Sequence, residues 1–385
     1  MSPPDIEELA RHSIAAIETV RVRTRWPRLL GRNAIFEEHG FGRELLVRRI
    51  TTDKGASGWG LSRQLPPEKT PKLTGRRLSE LFDPAVGVID EQAMPLDFAL
   101  HDLAGAILDV PVYRMLGAAG ETDVDIYGAA TYMDDITPAY QPGGVQTVLD
   151  HCRQDYELGY RSFKIKIGRG YRWMQPADGL RRDVEVTRAV REHFPECRIM
   201  VDANNSYACG DFLRYFEAVA DCRLYTIEEP FHENRDDLRR LREMIEKLNP
   251  ATTVTEGESK ADVEFLLALG AEGLVDILNL DIEGYGFTPW RRLAPRAIER
   301  GLQFSPHAFD LRLKTLYAAQ FLAGVGAATP LEGVIDETEG VDTSGYSFRA
   351  GVLAVPDAPG FGMRLVWGRR YDEQGRDDSG HKLTT

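Results

Sequence analysis

Short apolar, β-branched runs recur along the later two-thirds of this chain. They stand at DVDIYGAAT (123–131), RSFKIKIG (161–168), RIMVDANN (198–205), LYTIEEP (224–230), ATTVTEGE (251–258), LVDILNLDI (274–282), LQFSPHAF (302–309) and ATPLEG (328–333). Between them lie amphipathic stretches with helical spacing, for example 143–160, 183–194 and 210–222. Each run alone is too short to tell a strand from a buried helix, so the alternation carries the assignment. Eight strands alternating with helices over roughly 210 residues predict a parallel (β/α) barrel.

Ahead of residue 123 the order changes. Residues 44–57 read as two strands joined at Asp53-Lys54-Gly55, and 91–107 open a helix-rich segment that ends near Gly117. Strands followed by helices point to an α+β unit. Toward the end the alternation fades into the polar stretch 372–385. The expected division is an N-terminal α+β domain over 1–122, a barrel over 123–345, and a C-terminal segment over 346–385 that packs back onto the first domain.

Composition narrows the function. With 385 residues and 43% hydrophobic content the chain can bury a large core. It has no apolar run long enough for a membrane span, and MSPPDIEELARHS lacks the basic and apolar regions of a signal peptide. Cys152, Cys197, Cys209 and Cys222 show no zinc-like pairing, and a reducing cytoplasm is the expected setting. The formal charge of −13 argues against nucleic acid as a partner.

The chemistry sits at the ends of the apolar runs. Asp202, Glu228 and Glu258 close three successive runs, 26 and 30 residues apart. Strand ends of a parallel barrel converge on one face, and three converging carboxylates suit a hard divalent cation such as Mg²⁺. In TEGES, Glu256 competes with Glu258, because residues two apart on a strand share a face; Glu229 points away from Glu228. Lys164 and Lys166 likewise share one face of FKIKIG, either into the barrel or as a solvated edge. Two adjacent ammonium groups are expected to depress each other's pKa and leave a neutral lysine base accessible. Asp281 and His307 close neighbouring runs within expected hydrogen-bonding reach, and Glu332 completes the ring.

Together these residues resemble the enolase superfamily, in its mandelate racemase-like subgroup, over nearly the whole chain. The resemblance implies a (β/α)7β TIM-type barrel with an N-terminal α+β capping domain completed by the C-terminal segment. It implies Mg²⁺ held by Asp202, Glu228 and Glu258, with the Gly-Glu pairing favouring Glu258 over Glu256. It assigns Lys164 and Lys166 to the KxK base motif, and His307 with Asp281 to the dyad. Glu332 is expected protonated, flanking the substrate carboxylate together with Lys164. Sister enzymes that lactonise muconate or epimerise dipeptides carry lysine where Asp281 stands, which disfavours them here.

The implied chemistry removes a proton next to a carboxylate, with Lys166 and His307 on opposite faces of that carbon. The reading adopted is a Mg²⁺-dependent dehydratase of an aldonate or aldarate, yielding a 2-keto-3-deoxy acid. A racemase or epimerase of a 2-hydroxy acid uses the same intermediate, and a non-catalytic barrel with a binding role is the reading from another class. Which of Lys166 and His307 abstracts the proton stays open. A small carboxylate is the expected partner, in a homo-oligomer. For substrate contacts the expectation falls on Asn204, two residues beyond Asp202, and on an Arg-rich loop over 20–40 that carries Arg25, Trp26, Asn33 and His39.

Overall fold

A computed structural model describes residues 3–62, 72–334, 336–366 and 369–371. The polar stretch 372–385 lies outside the described residues. Among them, no helix is long and apolar enough to cross a membrane.

The N-terminal sheet is built on a long strand, β1 (Ile14–Leu30), paired antiparallel with β2 (Gly40–Thr52), which turns at 53–55 into β3 (Ser57–Leu61). The period-2 pattern of β1 explains its length: Val20, Val22, Thr24, Trp26 and Arg28 are buried, whereas Arg21, Arg23 and Arg25 face outward. Helix Asp97–Leu108 lies against β3, and a Cβ on Gly58 would sit 2.3 Å from the Leu103 nitrogen. Only glycine permits that approach.

This corrects the loop expected over 20–40. Strand β1 runs to Leu30, and only about 31–39 connects it to β2. Arg21, Arg23 and Arg25, which marked the stretch as a donor-rich loop, instead alternate with Val, Thr and Trp as the outward face of a strand.

Eight parallel strands form the barrel: β4 (Asp123–Thr131), β5 (Ser162–Lys166), β6 (Arg198–Asp202), β7 (Thr226–Glu228), β8 (Thr253–Glu256), β9 (Ile277–Leu278), β10 (Gln303–Phe304) and β11 (Leu331–Gly333). Each pairs with the next through β10; a bridge between Phe304 and Ala328 and the pairing of β11 with β4 close the ring. Helices including Val145–Glu157, Pro176–His193, Arg235–Leu248 and Arg312–Val325 follow individual strands. Phe163, Ile165, Ile199, Val201, Ile227 and Val254 join the large core that these helices share. Lys164, Lys166, Met200, Asp202 and Glu228 occupy the alternate, inward positions.

After β11 the chain returns to both units. Glu337–Glu339 pairs antiparallel with Arg23–Arg25 of β1, Arg369–Tyr371 pairs with Thr19–Arg21, and Val352–Ala354 pairs with the start of β4. Arg28 of β1 forms a buried ion pair with Asp155 of helix Val145–Glu157 at 2.6 Å and also donates to the Ala130 carbonyl. The four cysteines are unpaired and buried.

Candidate active site

Because all eight strands run parallel, their C-terminal ends share one rim, and the polar residues that end them meet there. Asp202, Glu228 and Glu258 each offer one oxygen, all within 4.8 Å of one another. Asp202 and Glu228 are buried and Glu258 is half-buried, with its Oε2 out of water and without a hydrogen-bond partner. Three converging carboxylates, one of which keeps an orphaned oxygen, fit a hard divalent cation.

The choice between Glu256 and Glu258 follows from one backbone angle. Gly257 has φ +126°, a conformation that breaks strand alternation immediately after β8. The two glutamates therefore do not share a face, contrary to the strand-based expectation. Glu258 joins the cluster. Glu256 is buried beside the cluster without joining it, its Oε1 unpartnered and its pKa driven well up by burial and by Glu229, Glu233, Glu228 and Asp202. Glu229 points away from Glu228 and accepts from both the amide and the hydroxyl of Ser259.

Lys164 and Lys166 face inward among these carboxylates. The Lys164 ammonium donates to both oxygens of Glu228 at 3.1 and 3.0 Å and lies 2.7 Å from Glu332. Lys166 donates to Asp202 Oδ2. Burial and mutual repulsion push Lys166 down, as expected for paired lysines, but Asp202, Glu258 and Glu228 outweigh both. Its pKa is raised, and that of Lys164 is raised well above the ordinary lysine value against burial, by Glu228 and Glu332. Four carboxylates, three of them the candidate metal ligands, surround the two ammonium groups and oppose the depression expected from the sequence.

Glu332 is corrected in the same way. Burial alone would protonate it, but Lys164 and His307 hold its pKa down at about 2, and it accepts from the Ala308 amide at 2.7 Å. It is an ionised acceptor here, not a donor.

His307 and Asp281 lie just beyond β10 and β9 and are bridged through their backbones. The Nδ1 of His307 is 2.8 Å from Asp281 Oδ2, while its Nε2 faces Glu258 at 3.3 Å and Glu332 at 3.7 Å. Burial opposes its protonation, yet Glu258, Glu332 and Asp281 raise the imidazole to about 10. Asp281 also accepts from the Gly284 amide and from Lys314 at 3.1 Å. Lys314 projects from helix Arg312–Val325, and nothing in LRLKTLY distinguishes it from a surface lysine.

The expected substrate contacts separate. Asn204 is buried at φ +46°, its amide bonded to Asp202 Oδ1 and its side-chain oxygen unpartnered, available to a ligand. His39 lies against Tyr132 and Phe309, with ring centroids 4.9 and 5.2 Å away, and is lowered to about 4 by burial, Lys166 and Arg43. Asn33 uses its side-chain oxygen within its own turn, accepting from the Ile35 and Phe36 amides. Arg25 is not brought to the cluster. Its strand neighbour Trp26 packs on Phe309, so Arg25 points to the opposite face, where it is exposed and pairs with Glu339 at 2.8 Å. Tyr132, 5.9 Å from Lys166, went unnoticed in the sequence, although it directly follows a strand end as the acidic residues do.

Residues 147–368 match the family model described as enolase C-terminal domain-like, which is more than half of the chain. The chain belongs to that family. A galacturonate dehydratase from Geobacillus sp., solved with D-galacturonate and 5-keto-4-deoxy-D-galacturonate, is similar at 30% identity and TM-score 0.86, over 92% of this chain and 95% of that one. A mandelate racemase/muconate lactonizing protein from Geobacillus sp. Y412MC10, solved with magnesium and tartrate, is 31% identical with TM-score 0.86, over 92% and 93%. An L-Lys-D/L-Arg epimerase of Methylococcus capsulatus is 28% identical over 92% of this chain and 93% of its own. The family spans eliminations and epimerisations at similar distances from this chain, and the resemblance read from the barrel motifs holds.

Proposed function

We propose that this protein is a Mg²⁺-dependent dehydratase of an acid sugar, a hexuronate, aldonate or aldarate. The observation that carries this reading is the pairing of Lys166 with a protonated His307–Asp281 dyad around one acidic cluster, in a chain similar throughout to a galacturonate dehydratase. Asp202, Glu228 and Glu258 would hold the metal. When bound, Mg²⁺ supplies positive charge to a substrate carboxylate oxygen as the adjacent carbon loses its proton.

The remaining work falls to side chains. Lys164, fixed by Glu228 and Glu332, donates to the substrate carboxylate. Lys166, once it has given up to solvent the proton that Asp202, Glu258 and Glu228 favour on it, removes the proton from the carbon beside that carboxylate. His307, held as imidazolium by Asp281, Glu258 and Glu332, gives its proton to the departing β-hydroxyl, which leaves as water. Asp281 keeps Nδ1 occupied so that Nε2 faces the reaction. The enol formed collapses to a keto-deoxy acid.

Incubation with Mg²⁺ and a panel of acid sugars including D-galacturonate, followed by proton NMR in deuterated water, tests the reading. Loss of water to a keto-deoxy product is expected. Deuterium uptake without elimination would replace it by a racemase or epimerase, and neither would favour a binding role. With a substrate in hand, His307→Asn should exchange the α-proton without losing water, and Lys166→Ala should do neither. The reverse pattern would make His307 the base.

A further inference from the structure

The cap touches the catalytic rim at several turns, and one of them directly follows His307. His307 is followed by Ala308, Phe309 and Asp310 before the chain enters helix Arg312–Val325. Asp310 has φ +87°, which non-glycine residues adopt only where surrounding contacts enforce it. Those contacts come from three places in the cap. Arg43, near the start of β2, pairs with Asp310 Oδ2 at 2.8 Å. Trp26 of β1 donates its indole N–H to the Asp310 carbonyl at 3.1 Å and stacks on Phe309 at 6.4 Å. His39, between the two strands, meets the edge of Phe309. From the barrel side, Glu332 accepts from the Ala308 amide. The three residues that follow His307 are thus clamped between cap and barrel.

We infer that Arg43 and Asp310 are positioning residues for His307, so that the docked cap sets the imidazole in place over the cluster. The inference rests on the acid–base role proposed for His307. Arg43 is about half exposed while Asp310 is largely buried, so water screens the guanidinium end of the pair and limits its contribution to global stability. Its effect is geometric.

The experiment compares Arg43→Ala, Arg43→Lys, Asp310→Asn and the Arg43→Ala/Asp310→Asn double variant in the full-length protein. Turnover of D-galacturonate with Mg²⁺ should fall roughly ten- to a hundredfold in Arg43→Ala and Asp310→Asn, with KM within about twofold and melting temperature unchanged. The double variant should be no worse than either single one, and Arg43→Lys should recover part of the loss. Hydrogen exchange in the free protein should rise over 307–311 in Arg43→Ala and stay unchanged over 198–205. Wild-type exchange over 307–311 in that variant would overturn the inference, as would raised exchange with wild-type turnover. If the wild-type protein transforms no acid sugar, the acid–base reading of His307 fails separately, and the exchange measurement alone decides whether the cap holds the turn.

Discussion

Glu258→Gln keeps the shape of the side chain and removes one of three negative charges from the cluster. Hard divalent cations draw most of their binding energy from charged oxygens. Changes to groups that merely support metal ligands already weaken binding by about 10–100-fold, so loss of a ligand's charge should cost more than about a hundredfold. Titration calorimetry with Mg²⁺ or Mn²⁺ measures this. Glu256→Gln is the matched control, since Glu256 lies outside the cluster and its pKa is driven well up by burial. It should leave metal affinity within about twofold and stability little changed, because the amide is uncharged like the protonated carboxyl that burial favours there. Equal loss in both variants would mean that Glu256 is a ligand and that the Gly257 turn does not separate them.

Between residues and fold stand the strand ends, and Gly257 shows how much one of them decides. A Cβ there meets Leu266 Cδ1 at 3.3 Å and Asn279 Oδ1 at 3.4 Å, so space is tight but workable. The φ of +126° is the larger obstacle, costing a non-glycine residue about 1–3 kcal/mol. Gly257→Ala should therefore lower thermal stability by that order and weaken Mg²⁺ binding by turning Glu258 away. A variant that unfolds earlier but binds metal normally would separate strain from ligand placement. The same scale explains what could be read in advance. Asp202, Glu228, Lys164, Lys166 and His307 were legible because parallel strands carry their terminal residues to a common rim. Charge states were not, since the ionisation of Lys166 and Glu332 depends on the sum of carboxylates and cations from several strands. Arg25 misled because the stretch 20–40 looked like a loop, whereas a strand assigns it the face opposite Trp26. Lys314 and Asp310 take their importance from partners far away in sequence, Asp281 and Arg43, which local pattern cannot supply.

Across the whole molecule, the N-terminal and C-terminal parts of the chain are joined at a buried carboxyl. Asp102, on helix Asp97–Leu108, accepts from the Trp59 amide of β3 and from the Phe361 amide near the chain's end, each at 2.9 Å. Gly360 packs so closely that a Cβ would sit 2.3 Å from Asp102 Oδ1. Burial pushes this carboxyl up from 3.8 to about 7, against the two amides, which favour its ionised form. Between those values the folded chain binds more protons here than the unfolded chain does. The stability contributed by the group is therefore complete below pH ~4 and is lost as pH rises through about 7, a change of a few kcal/mol. Asp102→Asn cannot titrate and retains only one oxygen for two amides. It should be the less stable protein at pH 5, and the gap should narrow by pH 8 as the wild-type carboxyl ionises. Asp336 and Glu229, raised to about 6 and about 7, titrate in the same window but do so in both proteins and cancel in the difference. Melting temperatures of the two proteins across this range measure it. Parallel curves would show that the two amides win over burial, and that the junction between the ends of the chain is held by a carboxylate at every pH where the protein is folded.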